Sequence, residues 1–236
     1  MIPRQEGLHY SKQKFIMTNT TTLIIPGYRG SEDAHWQTWM ESHIPGAKRI
    51  HQNWEQPVLS TWAINISRTL TDLKSPAWLI AHSFGCPAAI IAAAENPEKV
   101  AGLMLVAPAD PERFDQAGVK RWHGIGASES IRAQIPAQPL PVPSLLIASD
   151  NDPWMQASKA RLWGECWGSR TFTLKDAGHI NTSSGFGPWP DGLKLFNHFK
   201  SSTHSYQKAP KHTVFKGNSS LIQFNDNQST FSCFTA

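Results

Sequence analysis

Short, nearly continuous apolar runs alternate along this chain with segments in which apolar residues recur every three or four positions. The runs are Thr21–Pro26, Lys48–His51, Trp78–His82, Gly102–Ala107, Ser144–Ser149 and Arg170–Leu174. They are rich in Ile, Leu and Val, and they predict strands covered on both faces. Between them, Leu59, Trp62, Ile66, Leu70 and Leu73 repeat at helical spacing and share one face. Asp33–Ser42, Pro87–Glu95, Pro153–Trp167 and Trp189–Lys200 are read as further helices. Pro87 and Pro153 fall near helix starts, where a missing amide hydrogen does no harm. Strand–helix units joined by right-handed crossovers build an open parallel sheet with helices on both faces. The expected architecture is a three-layer α/β sandwich of about six mostly parallel strands, with the site at their carboxyl ends.

Three segments depart from the rhythm. Pro108–Pro143 is long and proline-rich, with room for one or two short helices, and reads as a rim or lid over the site edge. Residues 1–16 are polar and patternless and read as a flexible N-terminal extension, with Met17 a candidate natural start. Residues 201–236, rich in Ser, Thr, Asn and Gln, read as a loosely ordered tail. The folded domain is thus expected at 17–200.

Composition narrows the function. A chain of 236 residues with 40% hydrophobic positions suits one sizeable α/β domain. Its net charge of +4 sits outside that domain. Residues 1–16 and 201–236 each carry +2, which leaves sixteen bases against sixteen acids in 17–200. A nucleic-acid partner, which needs positive charge on a folded face, is not expected. Cys86, Cys166 and Cys233 show neither metal-ligand nor redox-pair spacing. They are expected to be reduced, which fits a cytoplasmic compartment. There is no secretory-type apolar core near the N-terminus, and no run approaches the ~20 apolar residues of a membrane span, so no membrane partner is expected.

The chemistry begins at Ala81-His82-Ser83-Phe84-Gly85. A serine between small residues, at a corner between a predicted strand and a predicted helix, is the nucleophile-elbow pattern, here with Ala in the first small position. A serine hydroxyl needs a base to take its proton and a third group to orient that base. Both should follow later strands in the order acid, then histidine. Asp150-Asn151-Asp152-Pro153 follows Ser144–Ser149, and Asp176-Ala177-Gly178-His179 follows Arg170–Leu174. Ser83, Asp152 and His179 are the candidate catalytic residues. Asp150 stays open as the rival acid, while Asp176 reads as a loop or cap residue. His82 points away from its neighbour Ser83 and reads as a buried structural side chain. His51, His123, His198, His204 and His212 read as solvated.

An oxyanion also needs donors. The amide of Phe84 is the first candidate, and the amide of Tyr28, in the turn Pro26–Ser31, the second, with Arg29 a weaker option. Tyr28, Phe84 and Trp154 abut these loops and are candidate pocket neighbours. Gly27, Trp54 and His35 are further pocket candidates, whereas Trp36, Trp39 and Trp62 read as core. No HExxH, paired-cysteine or dinucleotide fingerprint occurs, so no metal and no cofactor are expected.

Taken together, these residues resemble a known group. Pro26-Gly27, Ser31, His35-Trp36-Gln37-Thr38-Trp39, Gln52 through Pro57 and Trp62 are similar to the retinoblastoma-binding-protein-9-like serine hydrolases. So are the elbow through Cys86, Ser149 through Pro153, Gly178 through Asn181, and Gly187-Pro188-Trp189-Pro190. The resemblance covers about 21–200. It departs from the family at Phe84, where Leu is commoner, and in the terminal extensions. It implies the α/β-hydrolase fold without a separate cap domain, no cofactor, and Ser83, Asp152 and His179 as triad. The implied activity is hydrolysis of a small-molecule ester. Amide or peptide hydrolysis by the same residues, and a non-catalytic binding protein on the same fold, remain as alternatives.

Overall fold

A computed structural model describes residues 20–121 and 128–208, the side chains of 204–208 excepted. The expectations for residues 1–16, Met17, residues 209–236, His123 and His212, and for the side chain of His204, lie outside the described residues. The elements are β1 (Thr22–Ile25), α1 (Trp36–His43), β2 (Ala47–Arg49), α2 (Leu59–Thr71), β3 (Ala77–His82), α3 (Gly85–Glu95) and β4 (Val100–Val106). A small hairpin follows, β5 (Phe114–Asp115) with β6 (Gly118–Val119). Then come β7 (Ser144–Ser149), α4 (Ala157–Trp167), β8 (Arg170–Leu174) and α5 (Pro190–Lys208).

Six strands pair in the order β2-β1-β3-β4-β7-β8, every pair parallel. Successive side chains on a strand face opposite sides, so a strand buried on both must be apolar at every position. Leu23, Leu79, Ala81, Leu103, Leu105 and Leu146 face one layer, packed with Trp62, Ile66 and Leu70 of α2 and Trp163 of α4. Ile24, Trp78, Ile80, Met104, Val106 and Ile147 face the other, against Trp36 and Met40 of α1 and Phe196 and Phe199 of α5. Each fully buried aliphatic or aromatic side chain contributes about 1.5–3 kcal/mol, so the two apolar layers hold the sheet between the helices.

The elements differ from expectation in instructive places. α1 begins at Trp36 and not Asp33, because the His35 side chain accepts the amide of Gln37 and caps the helix there. α4 begins at Ala157 and not Pro153. The Asp152 carboxylate accepts the amide of Trp154 at 2.8 Å, a local turn that competes with helix, so Pro153 lies in a loop. β8 was expected to be covered on both faces, but it is a sheet edge with residues 170–173 exposed. α5 continues past Lys200 to Lys208, and buried Thr203 hydrogen-bonds Phe199 O within it. The expected boundary at 200 therefore falls inside a helix. Cys86 is a buried free thiol whose pKa burial pushes up. Cys166 was expected reduced but is disulfide-bonded. No helix among the described residues is long and apolar enough to cross a membrane.

Strand order locates the crevice. From β1 the chain moves outward to β2, then returns to the other side of β1 with β3 and continues to β4, β7 and β8. The loops leaving β1 and β3 therefore diverge to opposite faces, and such a reversal opens a ligand crevice at the carboxyl edge.

Candidate active site

Ser83 directly follows β3 and is held at φ 52°. This left-handed conformation costs a non-glycine residue about 1–3 kcal/mol and persists only where its surroundings impose it. They do so through three hydrogen bonds. The Ser83 amide donates to Val106 O (3.1 Å), and its carbonyl accepts from Cys86 N (3.0 Å) and Ala109 N (3.2 Å). Close approach sets the neighbours. A Cβ on Gly85 would lie 2.6 Å from the carbonyl oxygens of Ile25 and Pro26, and one on Gly27 would lie 2.6 Å from Ser83 Cβ. Only glycine fits at either position.

The loops after β3, β7 and β8 converge. Ser83 Oγ is 2.9 Å from His179 Nε2, and His179 Nδ1 is 2.9 Å from each carboxylate oxygen of Asp152. A carboxylate only accepts, so Nδ1 carries the proton and Nε2 is left to accept from the serine. The Asp152 side chain is 2% exposed and that of His179 8%, so water competes little for these bonds.

The two loops are tied together by what surrounds Asp152. Asp150 Oδ1 accepts Asp176 N (2.8 Å), Asn151 Oδ1 accepts Gly178 N (2.7 Å), and Ser149 Oγ accepts Ala177 N (3.2 Å). Asp150 thus braces the histidine loop, and it is Asp152 that reaches the imidazole. Asp176 holds a left-handed turn at φ 51°. From the other side, His82 Nε2–H donates to the backbone carbonyl of His179 at 2.9 Å. His82 is buried as expected, and burial holds its pKa well below the usual histidine range. Its bond to the histidine loop was not anticipated; adjacency to the serine was the only sign of it.

The crevice over Ser83 is a cleft of about 410 Å³. Trp154 and His35 line it, as do Tyr28 and Arg29. Three pocket candidates lie elsewhere. Trp54 packs its ring against Gly30, and its carbonyl accepts Arg29 N at 2.9 Å. Phe84 is fully buried, edge-on to Trp62 and against Phe114, because the helix start turns it inward. Phe114, from the segment read as a rim, occupies the cleft wall instead. Gly27 backs the serine and does not line the cleft. Trp36 and Trp62 are core, and Trp39 is half-buried against His43. His51 and His198 are exposed.

Among the described residues the amides of Tyr28 and Phe84 donate to no protein acceptor. Two spare N–H groups beside an activated hydroxyl suit an oxygen that gains negative charge. Glu32, which the sequence reading passed over, also lines the cleft and accepts from Thr182 Oγ1, a bond that lowers its pKa. Among the described residues no group of three or more His, Cys, Asp or Glu is arranged to hold a metal ion.

Comparison with known proteins bears on the family and the fold. The model of the family described as serine hydrolase matches residues 22–198. A solved YdeN-like hydrolase from Pectobacterium atrosepticum SCRI1043 is 40% identical, with a TM-score of 0.69 over 78% of this chain and 92% of that one. The ydeN gene product of Bacillus subtilis is 21% identical, with a TM-score of 0.60 over 77% of this chain and 99% of that one, a likeness of fold. In sequence, YdeN of Bacillus subtilis (strain 168), named as a hydrolase, is 36% identical over 70 residues, which span 28% of this chain and 37% of YdeN. The fold is that of the α/β hydrolases.

Proposed function

This chain belongs to the serine hydrolase family, and from that premise we propose that it hydrolyses small carboxylic esters through an acyl-enzyme on Ser83. The observation that carries the reading is the unbroken chain of hydrogen bonds from Ser83 Oγ through His179 to Asp152, each link 2.9 Å. His179 Nε2 takes the serine proton as Oγ attacks the ester carbonyl. Asp152 holds the tautomer and stabilises the imidazolium. The amides of Phe84 and Tyr28 receive the developing oxyanion. The imidazolium then gives its proton to the departing alkoxide. Water, activated by the same nitrogen, releases the acid and restores the serine. Every group required belongs to the chain.

Within the family we assign the chain to the retinoblastoma-binding-protein-9-like branch. Two motif elements of that resemblance pack together, with Trp36 edge-on to Trp189 at 5.3 Å. The argument for a cytoplasmic compartment rested on reduced thiols. The disulfide at Cys166 withdraws it, and no compartment is proposed.

A second reading, hydrolysis of aminoacyl amides, is favoured by Glu32, a carboxylate lining the cleft where a substrate ammonium could bind. A fluorophosphonate probe tests whether Ser83 is the nucleophile. Labelling of the wild type and none of Ser83→Ala is expected, and equal labelling of both removes Ser83 from the mechanism. Rates on p-nitrophenyl butyrate and on aminoacyl p-nitroanilides then separate the two readings.

A further inference from the structure

Among the groups lining the cleft, His35 is a hydrogen-bonding side chain that the mechanism above does not use. Its Nδ1 is committed, because it accepts the amide N–H of Gln37 at 3.1 Å as the cap of α1. A neutral imidazole bears one N–H, so the proton sits on Nε2. Among the described residues Nε2–H has no protein acceptor, and it is not one of the buried polar atoms sealed from solvent. His35 as a whole is 2% exposed, so this small opening is to the cleft that it lines.

The ring is also held rigidly with respect to Ser83. Gln37, the second residue of α1, donates through Nε2 to Ile25 O (3.1 Å) and Ile80 O (3.2 Å), and its Oε1 accepts from Ser31 Oγ at 2.7 Å. These bonds fasten the start of α1 to β1 and β3, the strands whose loops carry Tyr28 and Ser83. His35 packs against His82, and His82 against His179, each pair with ring centroids 5.0 Å apart. His35 therefore lies on the imidazole side of the cleft, where the leaving group receives its proton. Burial pushes its pKa down to about 4, so the ring remains an uncharged donor at neutral pH.

We propose that His35, through Nε2–H, is a further substrate-contacting residue that donates to the alkoxy oxygen of the leaving group. The proposal rests on the Ser83 ester-hydrolase reading. With one nitrogen spent on the helix cap, the other is the donor that a bound ester completes. It matters most when the departing alkoxide is strongly basic, because that oxygen gains most charge as its bond to carbon breaks.

The test is kcat/KM of the full chain on p-nitrophenyl butyrate and ethyl butyrate, for wild type, His35→Asn, His35→Gln and Ser83→Ala. Asparagine can keep the capping acceptor but cannot reach the cleft, whereas glutamine reaches it without capping. The expected result for H35N is a loss of tenfold or more on ethyl butyrate and less than threefold on p-nitrophenyl butyrate. H35Q is expected to keep the wild-type ratio of the two rates even if its Tm falls. Equal losses on both esters, or no loss with ethyl butyrate, overturn the role of His35. If H35N does not fold, the ratio for H35Q decides alone: a tenfold shift from wild type overturns the role. Turnover by Ser83→Ala, or no turnover of either ester by the wild type, overturns the underlying reading instead.

Discussion

Asp150 accepts the backbone N–H of Asp176 through Oδ1 at 2.8 Å and so ties the loop after β7 to the loop after β8. Two residues on, Asp152 sends both oxygens to His179 Nδ1. Carboxylates so close in sequence therefore have different tasks, and substitution separates them. Asp152→Asn keeps an oxygen for the Trp154 amide but turns an NH2 donor toward His179 Nδ1, which favours the wrong imidazole tautomer, and it is expected to lower ester turnover by about 10⁴. Asp150→Asn keeps an oxygen for the Asp176 amide, so its turnover is expected within about tenfold of wild type, a change worth no more than about 1.4 kcal/mol of barrier. Steady-state kinetics on p-nitrophenyl butyrate checks both, and the reverse ranking would make Asp150 the catalytic acid.

Gly27 leaves no room behind the nucleophile. A methyl group there would meet Ser83 Cβ at 2.6 Å and His82 O at 3.0 Å, so the serine or the turn must move. Gly27→Ala is expected to cost about 1–3 kcal/mol as overpacking. It is also expected to slow phosphonate labelling of Ser83 at least tenfold, since a shift of about 1 Å can cost a hundredfold in rate. Wild-type labelling kinetics at unchanged Tm would show that the approach carries no functional constraint.

Much of this site was legible in the chain because its chemistry is local in sequence. An apolar run followed by a small-residue serine string marks both the strand end and the elbow at Ser83. The acid and histidine loops likewise sit directly after apolar runs. What was not legible depends on contacts across loops. Nothing in Asp150-Asn151-Asp152 states that Asp150 and Asn151 reach the amides of Asp176 and Gly178. Phe84 adjoins the serine, yet the left-handed corner turns its ring into the core against Trp62. Arg170–Leu174 was read with the interior strands, yet Arg170, Thr171 and Thr173 are polar and the strand lies exposed at the sheet edge, where one face and one side need no apolar cover.

His82 ties the histidine loop to β3 through His179 O, and this gives a stability prediction as well as a kinetic one. His82→Gln retains an N–H that can reach the carbonyl and is expected to keep most turnover. His82→Leu leaves a buried carbonyl without its donor, at a cost of about 1–3 kcal/mol. It is expected to lower kcat more than it raises KM, because the imidazole loses its fixed backbone. Chemical denaturation and kcat for the pair check this. If leucine and glutamine behave alike, the hydrogen bond has no positioning role.

Acid should destabilise the fold in a definite window. Burial holds His35 down to about 4, against the ordinary 6.5 it regains on unfolding. Among its charged surroundings, Glu32 opposes that shift, while Arg49 and His179 add to it. The unfolded chain thus binds a proton between these values that the folded chain refuses. The stabilisation is complete above pH 6.5 and is lost as pH falls toward 4. The window is worth up to about 3 kcal/mol for this ring. His82, also held low by burial, tilts stability the same way. Urea midpoints from pH 8 to pH 4 should therefore decline through this range. His35→Asn, which titrates nowhere in it, should show a shallower decline than wild type. An equal slope for the variant would mean that His35 protonates as readily in the fold as out of it.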